Sequence, residues 1–193
     1  MTTDDIYQFG ISLLDHYVLL ITLALAALTL AVFLGRKSIR YAWLSLKTGF
    51  LLKRLGLKQI RNLQCPDGLG SFFTIDRLVM RHDGISVLLL KQFPGSIFCA
   101  DDIKEWTQLL AGKSYRFKNP LIDLDYQVNA VSACLPGVAV DGYLFFDHQA
   151  EFPKGHPQRV IRLDSIPDSL KRNQQEKVQP SVETAWERLG TMR

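Results

Sequence analysis

Apolar positions along the chain fall into three regimes. From Tyr17 to Gly35 they are continuous, 19 residues (YVLLITLALAALTLAVFLG) without a charge. Residues 36 to about 58 then read as helix, with Leu44, Leu46, Phe50, Leu51, Leu52, Leu55 and Leu57 forming an apolar stripe between basic residues. From Lys58 onward short strand-like runs take over, at Lys58–Leu63, Ser71–Met80 and Gly84–Lys91, separated by turn residues at Cys65–Gly70 and Arg81–Gly84. Phe93-Pro94-Gly95 breaks the third run. Ser96–Ala100 reads as a short hairpin arm, Asp101–Leu110 as a polar segment around Trp106, and Gly112–Lys118 as a basic connector. Pro120 opens a helix in which Leu121, Leu124, Val128, Val131 and Leu135 recur at helical spacing, and Pro136-Gly137 ends it. Val138–Phe146 and Gln158–Leu163 read as strands, Asp164–Arg172 as a short helix, and Asn173–Pro180 as a polar linker. The last amphipathic turns, Glu183–Leu189, put Val182, Ala185, Trp186 and Leu189 on one face.

The continuous run has the length of a membrane-spanning helix, which takes roughly 20 apolar residues. A signal peptide would need a basic leader and a small-residue cleavage site. Here residues 1–16 hold Asp4, Asp5 and Asp15 and no Lys or Arg, and the basic residues follow the run. Arg36, Lys37, Arg40, Lys47, Lys53, Arg54, Lys58 and Arg61 lie between 36 and 61 with no acid among them. Such residues are retained on the cytoplasmic side. The expectation is a single-pass protein of the inner, cytoplasmic membrane, with its N-terminus outside and its main domain inside. Cys65, Cys99 and Cys134 show no CxxC spacing, which points to free thiols rather than a disulfide framework or zinc site. The net charge of +4 suits contact with phosphate but is equally met by topology signals and a solvated face.

Chemistry concentrates in Ser71–Gly95. Side chains two apart on a strand share a face. Strict alternation therefore puts Asp76 with Phe72, Thr74, Leu78 and Met80, and Leu89 with Lys91. A carboxylate among apolar strand neighbours is costly without a partner, and Lys91 on the next strand, or a metal ion, is the candidate. His148 and His156 flank Glu151 at a spacing that suggests no metal site.

In order and spacing, these residues resemble the nuclease-related domain (NERD) of the PD-(D/E)XK nuclease superfamily. The resemblance covers roughly Leu46–Leu163. Its landmarks are Ile75-Asp76 in a strand, Gly84-Ile85 opening an apolar strand that ends in Lys91, then Gly95, Trp106, Asn119-Pro120-Leu121 at a helix start, and the late strand Gly142–Phe146. It implies an α/β (α+β) fold with a restriction-endonuclease-like mixed sheet flanked by helices. In the family an Asp and a Glu hold Mg²⁺ or Mn²⁺ and a Lys positions or activates water. Asp76 matches the Asp and Lys91 the Lys, while Leu89 stands at the Glu position. Gln92 replaces a frequent Asn, Arg77 a common His, and Gly49-Phe50 a Gly-Glu pair of the first helix. Asp101, Asp102, Asp123 and Asp125 are candidates for a migrated acid.

The expected organisation is a leader (1–16), a transmembrane helix (17–35), a basic juxtamembrane segment (36–45), the NERD-like domain (46–172), and a linker with a C-terminal helix (173–193). The favoured function is a catalytically degenerate module binding nucleic acid or protein at the membrane. The alternatives are an active Mg²⁺/Mn²⁺-dependent nuclease using Asp76, Lys91 and a migrated acid, and an assembly protein recruiting a partner through the Trp186 helix.

Overall fold

The computed structural model describes residues 3–66, 72–172 and 177–191, and within the first helix the side chains of residues 17–33, 35, 43 and 46 onward. Residues 67–71 of the expected turn and strand start, and 173–176 of the expected linker, lie outside the described residues. The chain forms two compact units, residues 1–47 and 48–193.

Helix α1 runs Thr3–Lys53 without interruption, so the apolar run and the basic stripe are one element rather than two. No proline lies between them, and Gly35 alone costs only about 1 kcal/mol relative to Ala. From Tyr17 to Phe33 the large apolar side chains Tyr17, Leu20, Leu28 and Phe33 are all more than half exposed. Among the described residues no helix is long and apolar enough to cross a membrane. The expected 17–35 transmembrane span is therefore not supported by the structure.

The second unit is built on a five-stranded mixed sheet in the order β1-β2-β3-β7-β9. Its strands are β1 (Lys58–Pro66), β2 (Phe72–Met80), β3 (Gly84–Lys91), β7 (Ala139–Phe146) and β9 (Val160–Arg162). The first three form an antiparallel meander, while β3, β7 and β9 run parallel. Such strands, covered on both faces, are mostly apolar; β3 is buried from Gly84 to Leu89.

A second, four-stranded sheet was not expected from the sequence. Its order is β6-β5-β4-β8, comprising β4 (Gly95–Phe98), β5 (Glu105–Leu110), β6 (Lys113–Lys118) and β8 (Ala150–Glu151). The segments read as a polar stretch and a basic connector are thus the two arms of a hairpin. Its turn is Ala111-Gly112, both at positive φ (49° and 75°), as a tight two-residue hairpin loop requires. Helix α2 (Pro120–Cys134) then leads into β7. The expected helix at 164–172 is reduced to a single 3₁₀ turn, Asp168–Leu170. Helix α3 spans Pro180–Thr191.

Two apolar layers hold this unit together. On one face of the main sheet, Leu63, Ile75, Leu78, Val87 and Leu144 pack with Leu121, Leu124 and Val131 of α2, with Trp106 and Ile97 of the second sheet, and with Val182, Trp186 and Leu189 of α3. On the other face Val79, Leu88, Phe145 and Ile161 pack with Leu52 at the end of α1, with Leu55 just beyond it, and with Leu163 and Leu170. Gly142 permits the close approach of α2: a Cβ there would lie 2.6 Å from Val128 Cγ2 and 2.9 Å from Leu124 Cγ. The apolar face of α3 read from the sequence is spent on the chain's own core, so a partner of that face would have to displace it.

Candidate functional site

Strict alternation fails at Asp76, and the structure shows why. Every register pair of β1 and β2 from Lys58↔Met80 to Pro66↔Phe72 is present except the one that would join Asn62 and Asp76. Asn62 sits at φ 52°, in the left-handed region that Asn tolerates better than most residues. Past it the strands exchange faces. Leu78 and Met80 point into the main core on one side of the break, while Ile75, Leu63 and Cys65 do so on the other. Asp76 and Asn62 are both left exposed. Asp76 is thus a solvated carboxylate rather than the buried one its neighbours predict. Beside it, burial lowers the Arg77 pKa first, Arg61 lowers it further, and Asp76 raises it. Arg77 Nη1 donates to Gln59 Oε1 at 2.6 Å.

One step past the last β2–β3 pair, Arg77↔Leu88, Asp76 comes level with Leu89. Leu89 is 5 % exposed and belongs to the main core. Lys91 closes β3, half-buried and paired in register with Phe146 of the parallel strand β7. Among the described residues Asp76 and Lys91 form no ion pair with each other or with any other group. Gln92 is exposed. At the position of the expected first-helix acid, Phe50 is exposed, with the Arg54 guanidinium 5.9 Å from its ring centroid.

The candidate migrated acids are engaged elsewhere or solvated. Asp123 accepts from Lys118 Nζ at 2.6 Å, and Asp125 takes a two-pronged ion pair from Arg159. Asp101 and Asp102 are exposed. His156 packs edge-on against Phe152 and His148 is half-buried, with Glu151 exposed between them. Among the described residues no three His, Cys, Asp or Glu side chains converge as a metal site. A divalent ion with oxygen ligands wants more than one carboxylate or a carboxylate with several fixed oxygens. The donor set around Asp76 does not fit that requirement, because the side chain level with it is a core leucine.

One acid was passed over in the sequence. Asp147, 4 % exposed, follows Phe146 at the carboxyl end of β7, next to the strand that ends in Lys91. Its Oδ1 accepts the Gln149 N–H at 3.1 Å and its Oδ2 the Gln149 side-chain amide at 3.4 Å. The signal available was an Asp directly after an apolar run, at a strand end where α/β sheets often gather polar groups.

The remaining landmarks hold the scaffold. Trp106 is fully buried, donates its indole N–H to Ala100 O at 2.9 Å, and stacks on Phe146 with ring centroids 6.3 Å apart. Asn119 is 1 % exposed. Its Oδ1 caps α2 by accepting from Leu121 N at 2.9 Å, and its Nδ2 donates to Ile103 O at 2.9 Å and Asp101 O at 3.2 Å. Gly95 lies at φ 91°, where a Cβ would stand 2.5 Å from Leu109 O.

A mixed sheet with an acid on the middle strand of a meander, a lysine at the end of the next strand and a capped helix crossing to a parallel partner defines a nuclease-like α+β domain. Residues 40–147 match the nuclease-related domain, NERD, and the chain belongs to that family. No curated protein and no solved structure matches the chain significantly.

Proposed function

We propose that this protein is a membrane-tethered, nuclease-related module that no longer cleaves efficiently and instead binds nucleic acid at the cytoplasmic face. The observation that carries the reading is Leu89: the position of the family's second acid is occupied by a buried core side chain. Asp76 and Lys91 retain the outline of the site without the donor set for a divalent ion. Neither Mg²⁺ nor Mn²⁺ enters a catalytic step in this reading. The exposed cations of the second sheet, Lys113, Arg116 and Lys118, supply charge for phosphate.

The tether rests on residues 17–33, whose exposed apolar surface far exceeds what a soluble monomer commonly leaves in water. The uncharged run continues through Leu34 and Gly35, and the basic stretch after it favours retention inside.

The test is degradation of DNA and RNA by the full chain in detergent with Mn²⁺ or Mg²⁺. The expected result is salt-sensitive binding without turnover. Turnover abolished by Asp76→Ala and Lys91→Ala would overturn the degenerate reading in favour of an active nuclease. Leu89→Glu is expected to lower stability by about 2–4 kcal/mol, the cost of a carboxylate in that core position. Gain of metal-dependent cleavage in that variant would show that the rest of the site is competent. A C-terminal reporter that is active only outside the cytoplasm would sink the placement.

A further inference from the structure

Two dibasic pairs far apart in sequence meet at the end of α1. Lys53 closes the helix and Arg54 follows it; Lys171 and Arg172 follow the 3₁₀ turn. The backbone pins them together through an antiparallel bridge between Leu55 and Lys171, an Arg172 N–H to Arg54 O bond of 3.0 Å, and a Gly56 N–H to Leu170 O bond of 3.0 Å. The four cations line a cleft of about 380 Å³ over an apolar floor of Leu51, Leu55 and Ile166, with no acid in its lining.

Basic residues at a helix C-terminus ordinarily serve the helix, by meeting its last carbonyls and its dipole. Here several carbonyls around this helix end already have other donors. Gln59 Nε2 donates to Leu52 O at 2.6 Å and to Leu55 O at 2.7 Å, and Arg54 O takes the Arg172 N–H. Asp168 neutralises Lys171 at 2.7 Å but is itself 95 % exposed and outside the cleft lining. Among the described residues Lys53, Arg54 and Arg172 have no acidic partner. Like charges held together by backbone repel unless an anion sits between them, and guanidinium groups suit phosphate oxygens in particular.

We infer that this cleft binds a phosphate-ester anion whose attached apolar group lies on Leu55 and Ile166. The volume suits a small ligand, and an apolar floor with a few convergent charges is the usual make-up of such sites. The site is separate from Asp76 and Lys91 and its test does not involve cleavage. The ester is either a soluble metabolite or the headgroup of an anionic lipid, and the two sources are separable.

The full chain in a nonionic detergent is titrated with phenyl phosphate, a soluble ester with an apolar group, with short-chain phosphatidic acid, with the matching phosphatidylcholine and with a single-stranded DNA 12-mer. The expected result is binding of at least one phosphate monoester, weakened tenfold or more by Arg54→Glu and by the double variant Lys171→Glu, Arg172→Glu, and unchanged by Lys104→Glu, an exposed lysine outside the cleft. Equal affinity for both esters assigns a soluble ligand, and preference for phosphatidic acid assigns the lipid. Binding of neither ester, binding of phosphatidylcholine as tightly as phosphatidic acid, DNA binding without ester binding, or equal losses in Lys104→Glu would each overturn the inference. All these side chains are exposed, so unchanged thermal melting of the variants separates lost binding from lost folding.

Discussion

Asn62 and Asp76 face each other where the β1–β2 ladder lacks a pair, and that one irregularity decides the character of the acid. Residue-type alternation made Asp76 a buried group in need of Lys91. The left-handed backbone at Asn62 turns it into solvent instead. A sequence can suggest such a break, since Asn tolerates positive φ, but it cannot say that the strand will exchange faces there rather than continue. Leu89 was legible as a missing acid; its burial required the structure. Cys99 illustrates a residue whose chemistry is set by its folded surroundings. Burial, and then Asp101, push its thiol up to about 11 from an ordinary value of 9.0. The folded chain therefore favours the protonated thiol. That contribution is fully present below pH 9 and is lost as pH rises towards 11. The melting temperature of the wild type is expected to fall more steeply across that window than that of Cys99→Ala. Parallel curves would show that the thiol contributes nothing.

Among the elements, the C-terminal helix and α2 were the most legible, because each carries a long apolar period with its own boundaries. Pro120 and Pro136 bracket α2 in the sequence, and Val182, Ala185, Trp186 and Leu189 mark the inner face of α3. The β5–β6 hairpin was missed. Its strands carry Glu105, Gln108, Lys113, Arg116 and Lys118, and Ala111-Gly112 is a weaker turn signal than Asn-Gly. Its burial comes from a few side chains, Trp106 above all, that only the assembled core reveals. Asn119 joins this hairpin to α2, since one side chain caps the helix and holds the Asp101–Ile103 loop. Replacing it with Ala removes a cap worth about 1 kcal/mol and two hydrogen bonds to the loop carbonyls worth about 0.5–1.5 kcal/mol each. Asn119→Ala is expected to lower unfolding stability by about 2–4 kcal/mol, read from the denaturant midpoint. Asn119→Asp, which keeps the cap but loses the donors, is expected to fall between. A change within about 0.5 kcal/mol for Asn119→Ala, the range of ordinary surface substitutions, would show that the loop is held by other contacts.

For the whole second unit, the mixed α+β class and the helix between the third strand and the later parallel strand could be anticipated. The strand order could not, because it rests on pairings such as Lys91↔Phe146 between residues far apart in the chain. Local pattern says that a run is a strand and is silent on its neighbours. The second sheet, with three strands between β3 and α2 and a fourth after β7, is likewise a property of packing, expressed in a shared core rather than in any motif. That second sheet ends on β6, which is bonded to β5 along one side, has no strand on the other among the described residues, and is exposed along almost its whole length. A bare strand edge is a template for joining to another molecule's edge. On β6 that template is studded with Lys113, Arg116 and Lys118, so two copies approaching edge to edge would bring like charges into adjacent rows. Whatever these cations contribute to ligand contact, they also disfavour edge-to-edge pairing of two copies through this strand.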